Sequence, residues 1–167
     1  MKRPEPVKVI KERRDTALTK LVEQVPYTDW LGVSFERKGY ELTAVLRFAE
    51  KVVGNPMLPA IHGGVTAAFL EATATVQLAW SMLWDEIESG RIDAAALTPG
   101  TMPHLPKTID LTVDYLRPGL PRDAYARAKV VRSGRRYASV QVEAWQDNRD
   151  RLFAAATGHF LMPAREG

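Results

Sequence analysis

The 167 residues carry 23 Lys and Arg against 20 Asp and Glu, a net charge of +3, and no cysteine. This length suits one domain with a core of its own, and the absence of cysteine excludes disulfides and thiolate metal sites. A charge so slight is compatible with an anionic ligand but falls short of the clustered basic surface that nucleic-acid binding needs.

The N-terminus, MKRPEPVKVIKERRD, lacks the apolar core of a signal peptide, and no run approaches about eighteen apolar residues without a break. A cytoplasmic protein with no membrane partner is therefore expected. In residues 7–25 the apolar positions Val7, Ile10, Ala17, Leu18, Leu21, Val22 and Val25 form a helical stripe, which Pro26 helps to end. Residues 1–28 are accordingly assigned as an N-terminal helical extension and residues 29–163 as the main domain. Two strands follow, Leu31 to Lys38 and Tyr40 to Phe48, joined as a hairpin by Gly39.

The stretch from Asn55 to Trp84 joins a proline-bearing polar loop, a His62-Gly63-Gly64 corner and a long apolar helix. Between Val65 and Trp80 the chain runs VTAAFLEATATVQLAW, with Glu71 as its one ionisable group and apolar residues on every side. A helix of that kind is buried, and a carboxylate inside it must find partners or shift its pKa. At the corner, the absence of a Cβ lets a ligand approach the backbone. The first-turn N–H groups, with the positive end of the helix dipole, suit a developing oxyanion. Eight residues separate Gly63 from Glu71, roughly 12 Å of helix rise. That is too far for both to serve one small carbonyl, and a site made between two chains would remove the difficulty.

Residues 85–107 hold several turn formers and form a long connection, with a short helical piece at Ile92 to Leu97. Together with Trp80, Met82 and Trp84 this connection is a candidate to line or cover one end of a ligand pocket. Four strands then follow: Thr108 to Leu116, Asp123 to Val131, Tyr137 to Trp145 and Arg151 to Leu161. Alternation places Ile109, Leu111, Val113 and Tyr115 on one face of the first. Many inward positions of the others are small, so a helix can lie close to the sheet. Consecutive strands around a central helix make an α+β domain with antiparallel pairing. Partly apolar outer positions such as Tyr125, Val131, Tyr137, Trp145, Phe153 and Leu161 point to a homodimer or homotetramer.

These residues carry a family resemblance: the Asn55 loop, His62-Gly63-Gly64, Glu71 eight positions after Gly63, and TIDLTVDYLRP from Thr108 to Pro118. Over roughly residues 30–162 the chain resembles the hotdog-fold acyl-CoA thioesterases of the phenylacetate-pathway and 4-hydroxybenzoyl-CoA group. The resemblance implies a six-stranded antiparallel sheet wrapped around the long helix, an active site at a dimer interface and an acyl-CoA substrate. No separate cofactor is implied, since CoA is part of the substrate.

By position, Gly63 resembles the residue whose N–H polarises the thioester carbonyl, and Glu71 the nucleophile or general base given by the partner subunit. Thr75 resembles a hydroxyl assisting that carboxylate, and Thr108 one that holds the attacking water. The family's Asn or Gln stands seven residues before this glycine, where Pro56 stands here, so Asn55 takes that role only with a one-residue loop adjustment. His62 is a cap holding the loop or a group that moves a proton. Arg117, Arg132, Arg135 and Arg136 are candidates for the CoA phosphates. His104 and His159 are assigned to structure or solvent, and the scattered histidines give no metal site. A hotdog hydratase would want an Asp and a His early in the helix, and a non-catalytic acyl-CoA-binding module would tolerate loss of Glu71.

Overall fold

A computed structural model describes residues 4–164. In chain order they form helices α1 (Val7–Val22) and α2 (Pro26–Leu31), strands β1 (Val33–Lys38) and β2 (Glu41–Leu46), and a small hairpin, β3 (Val53–Asn55) and β4 (Ala60–Ile61). The long helix α3 (Gly63–Glu88) follows, then β5 (Lys107–Tyr115), β6 (Ala124–Ser133), β7 (Tyr137–Trp145) and β8 (Ala154–Leu161). Six strands pair antiparallel in the order β1-β2-β6-β7-β8-β5, which leaves β1 and β5 as edges. This is the α+β hotdog arrangement, with α1 and the short α2 before it.

Small side chains decide how closely sheet and helix approach. Ala124, Ala126, Ala138, Ala144 and Ala154 are all buried on the inner face, where they meet Phe69, Leu70, Ala74 and Leu78 of α3. A second core surrounds the C-terminal half of α3, where Val76, Trp80, Leu83 and Ile87 pack against Ala17, Leu18 and Leu21 of α1. The 3-10 turn Ala94–Ala96 lies inside the helical piece expected at Ile92 to Leu97. Lys20 Nζ fastens the connection to α1 by donating to the carbonyls of Ala95 at 2.7 Å and Leu97 at 2.9 Å. Trp80 and this connection build the second core, toward the end of α3 remote from His62.

Other departures have local causes. Helix α1 stops at Val22, and Pro26, expected only to end a helix, also begins α2 from its first position, where its missing N–H costs nothing. That helix occupies the place of the expected strand start at Leu31 and ends on Gly32 at φ +83°, so β1 begins at Val33. Phe153, assigned to the outer face, is buried: its N–H donates to the Ala144 carbonyl, and its own carbonyl accepts from Leu116 and Arg117, which turns it inward. Tyr125 and Trp145 stack at 6.2 Å on the outer face, while Val131, Tyr137 and Leu161 stand exposed there. Among the described residues no helix is long and apolar enough to cross a membrane.

Candidate functional site

The N-terminus of α3 is built by the small hairpin before it. His62 is the N-cap, and its Nδ1 accepts the Gly64 N–H at 2.8 Å, so this histidine acts as the cap. Its backbone N–H donates to the Val52 carbonyl at 2.8 Å. Gly54 makes that approach possible, because a Cβ there would sit 2.7 Å from the His62 Cα. Gly63 opens the helix, and the Tyr115 hydroxyl donates to its carbonyl at 2.9 Å. Against this corner lies a pocket of about 390 Å³, lined by Gly63, Thr66, Tyr115, Arg117 and Phe153 among others. First-turn N–H groups are unsatisfied within a helix, and Gly63 offers one at the wall of that pocket.

Glu71 lies two turns further along α3. It is half-buried, on a partly open stripe with Ala67, Ala68 and Thr75, while Phe69, Leu70, Ala72, Thr73 and Ala74 around it are buried. The fully enclosed carboxylate expected from the apolar run is thus corrected: the sheet wraps most of the helix, and Glu71 is on the side it leaves open. Its partner is Thr108, whose Oγ1 donates to Glu71 Oε1 at 2.6 Å.

A bulge makes that contact possible. Thr108 pairs with Phe160 and Asp110 with His159, so Ile109 is an extra residue in β5. Strict alternation would turn Thr108 outward with Asp110 and Thr112, and Ile109 inward. The bulge moves Thr108 onto the face of Phe160, toward the helix, and Ile109, expected on the inner face, is exposed. On the outer face His159 Nδ1 lies 2.8 Å from Asp110 Oδ1.

The remaining candidates sort by position. Thr75 shares the open stripe with Glu71 one turn on. Asn55 ends β3, exposed, with Oδ1 accepting the Met57 N–H at 3.0 Å to close the polar loop. The four arginines separate. Arg117 follows β5 beside Gly63 and donates to the Leu152 carbonyl at 2.5 Å. Arg132, Arg135 and Arg136 are exposed around the β6–β7 turn, where Tyr137 aligns with Leu161 and Leu161 with Lys107. They stand at the Thr108 end of the sheet.

Two half-sites result. Gly63, Tyr115 and Arg117 form one; Glu71 and Thr108, with the Arg132–Arg136 turn on their side, form the other. Helix α3 runs antiparallel to β5, which separates the halves by about 12 Å along the helix and about 20 Å along the bulged strand. In the sequence Tyr115 is visible only as one inward position of a strand; its bond to the helix terminus is not legible there. Among the described residues no group of three His, Cys, Asp or Glu could hold a metal ion.

Residues 53–162 match the family model of the acyl-CoA thioesterase N-terminal domain. The medium/long-chain acyl-CoA thioesterase YigI of Salmonella typhimurium is 33% identical over 147 residues, 84% of this chain and 88% of the relative. Its counterpart from Escherichia coli K12 is 32% identical over 146 residues, again 84% and 88%. A solved structure from Chromobacterium violaceum is 30% identical with a TM-score of 0.63, covering 96% of this chain and 100% of that one. A phenylacetic acid degradation-related protein from Ralstonia eutropha shares the fold at 20% identity and a TM-score of 0.63, covering 87% and 99%.

Proposed function

The chain belongs to the acyl-CoA thioesterase family, and from that premise we propose that it hydrolyses medium- or long-chain acyl-CoA at sites shared between two copies of itself. The observation that carries this reading is the placing of two incomplete half-sites at opposite ends of one edge strand. Most of β5 is exposed, and it is the edge next to both halves. A two-fold axis near its middle, at Leu111, pairs β5 with its copy antiparallel. It also sets Gly63 of one protomer beside the other's Thr108 and Glu71. Each dimer then has two complete sites. Arg117 from one chain and the Arg132–Arg136 turn from the other converge on each of them, as the phosphates of CoA require. The exposed outer row of Val131, Tyr137 and Leu161 supports pairing of dimers into a homotetramer.

In this arrangement the Gly63 N–H holds the thioester oxygen. Thr108 occupies Oε1 of Glu71 and leaves Oε2 to take a proton from water as the water oxygen attacks the carbonyl carbon. The tetrahedral intermediate collapses by breaking the carbon–sulfur bond, and the departing thiolate recovers the proton from Glu71. The products are the free acid and CoA.

The test combines an acyl-CoA chain-length screen with subunit mixing. Glu71→Gln and Gly63→Val each spoil both sites of their own homodimer. A mixed dimer regains one intact site, Gly63 from the first chain and Glu71 from the second, and is expected to recover about half of the parent activity by that count of sites. Mixed dimers as inactive as either variant would show that each chain serves its own substrate. No hydrolysis of any acyl-CoA by the parent protein would overturn the reading as a whole.

A further inference from the structure

A pocket of about 440 Å³ opens through the sheet itself, apart from both half-sites. It exists because β2 pairs with β6 over only three residues, Ala44 to Leu46 against Ala124 to Ala126, whereas β6 continues to Ser133. Before Ala44 the β1–β2 hairpin is held elsewhere. Arg37 on β1 pairs with Asp15 of α1 at 2.5 Å, and the Tyr40 carbonyl accepts from Trp80 Nε1 at 3.1 Å. The turn is thereby drawn toward the helices, and a slot remains between β2 and β6.

Leu42, Ala128 and Val130 give the slot apolar walls, Tyr40 lines one side, and Gln77 of α3 lies at its depth. Gln77 is 5% exposed and lies against Tyr40, deep in the slot. On the outer rim three cations, Arg127, Lys129 and Arg149, face two carboxylates, Glu41 and Glu143. Arg127 is engaged with Thr43 Oγ1 at 2.9 Å and Glu41 at 3.4 Å, and it stands opposite Glu143 in the register. Lys129 stands opposite the neutral Gln141, and Arg149 lies over the Trp145 ring. The rim thus has cationic charge beyond what its carboxylates balance, above an apolar interior of a volume common for ligand sites.

We propose that this slot binds a free fatty acid, its carboxylate on Lys129 and Arg149 and its chain along Leu42, Ala128 and Val130. The choice of acid rests on the thioesterase reading above, in which such an acid is the product. Gln77 is six residues from Glu71 on the same helix, about 9 Å of rise, so an occupied slot touches the element that carries the catalytic carboxylate.

The experiment is calorimetric titration of decanoate, below its micelle concentration, into the parent protein and three variants. Lys129→Glu reverses an exposed charge on the rim, Ala128→Leu fills the slot, and Glu71→Gln disables the catalytic half-site. Decanoate affinity is expected to fall at least about tenfold in the first two, the cost of one lost charge-assisted contact or of a blocked wall, and to be unchanged in Glu71→Gln. Lys129→Glu should keep the parent turnover when no acid is added. Parent-like affinity in Lys129→Glu overturns the site, as does loss of binding in Glu71→Gln or the absence of binding to the parent. Should Ala128→Leu fail to fold, Lys129→Glu decides the question alone. A protein that binds decanoate in the expected pattern yet hydrolyses no acyl-CoA retains the slot and loses the catalytic reading.

Discussion

The Thr108 hydroxyl donates to Glu71 Oε1 across 2.6 Å and so ties the edge strand β5 to the open side of the central helix. The hydroxyl occupies one carboxylate oxygen and holds the group facing outward, which leaves the second oxygen for chemistry. A partner chain that pairs along β5 would bring its own Gly63 to this point.

Glu71→Gln keeps the size of the side chain and removes the proposed base. Turnover on the best acyl-CoA is expected to fall at least about a hundredfold with the melting temperature little changed. Thr108→Val should cost roughly tenfold, in line with one lost hydrogen bond to a charged group, and Thr108→Ser should retain most of the activity. Steady-state kinetics beside thermal melts checks both; a Glu71→Gln variant with parent-like kcat removes the residue from the mechanism.

Gly63→Val is expected to fold, because a Cβ at this position meets the Tyr115 ring at an ordinary 3.5 Å. Its side chain would instead stand where the thioester approaches. A loss on the order of 10²–10³ in rate follows from displacing an oxyanion donor. Melting temperature, CoA binding and turnover measured on one sample separate this from a folding defect. A folded variant that binds CoA and turns over at the parent rate rules the role out.

Tyr115→Phe deletes the bond to the Gly63 carbonyl and nothing else in the core. About 0.5–1.5 kcal/mol of stability is the usual size of one such bond, whereas loosening the first turn of α3 should lower kcat more than it alters KM. If stability drops while kcat/KM stays at the parent value, Tyr115 only braces the fold.

Light scattering at micromolar concentration should find a dimer or tetramer of the 18.6 kDa chain. Val113→Pro, in the middle of the edge strand at a position whose N–H alternates away from β8 toward the open edge, should shift that assembly toward monomer and remove activity together with it. An active monomer would refute the shared site.

Asp123 gives a pH dependence with a definite sign. Its Oδ1 accepts the Phe48 N–H at 2.8 Å and its Oδ2 pairs with Arg47 at 2.7 Å, and these contacts hold the carboxyl below its ordinary range. A folded value below the unfolded one stabilises the protein above about pH 3.9, and the gain is lost as pH falls through the folded value. Asp123→Asn should therefore melt lower than the parent at pH 7 and converge with it as pH falls through the folded value. A gap in melting temperature that stays constant across that range would count against this linkage.

Much of the architecture is legible in the sequence, because it follows from period and punctuation. The alternation in β2, β6, β7 and β8, the long apolar run of α3 and the small inner-face residues each state a local preference that burial then reinforces. The element order and the His-Gly-Gly corner at the start of α3 are likewise plain there. The second role of Pro26 is not, since proline ends one helix and opens another with the same missing N–H.

By itself the sequence determined the long elements, most of their inward faces and the two residues, Gly63 and Glu71, on which a thioester chemistry can rest. Tertiary structure alone decided what those residues touch. An extra residue in β5 turns Thr108 onto Glu71, a strand end carries Tyr115 to Gly63, and the β1–β2 hairpin leans away from β6 to open a slot. Each of these depends on register and on contacts between residues distant in the chain. A one-residue change of register reverses which face a side chain occupies without altering the local pattern of hydrophobicity, so local pattern cannot report it.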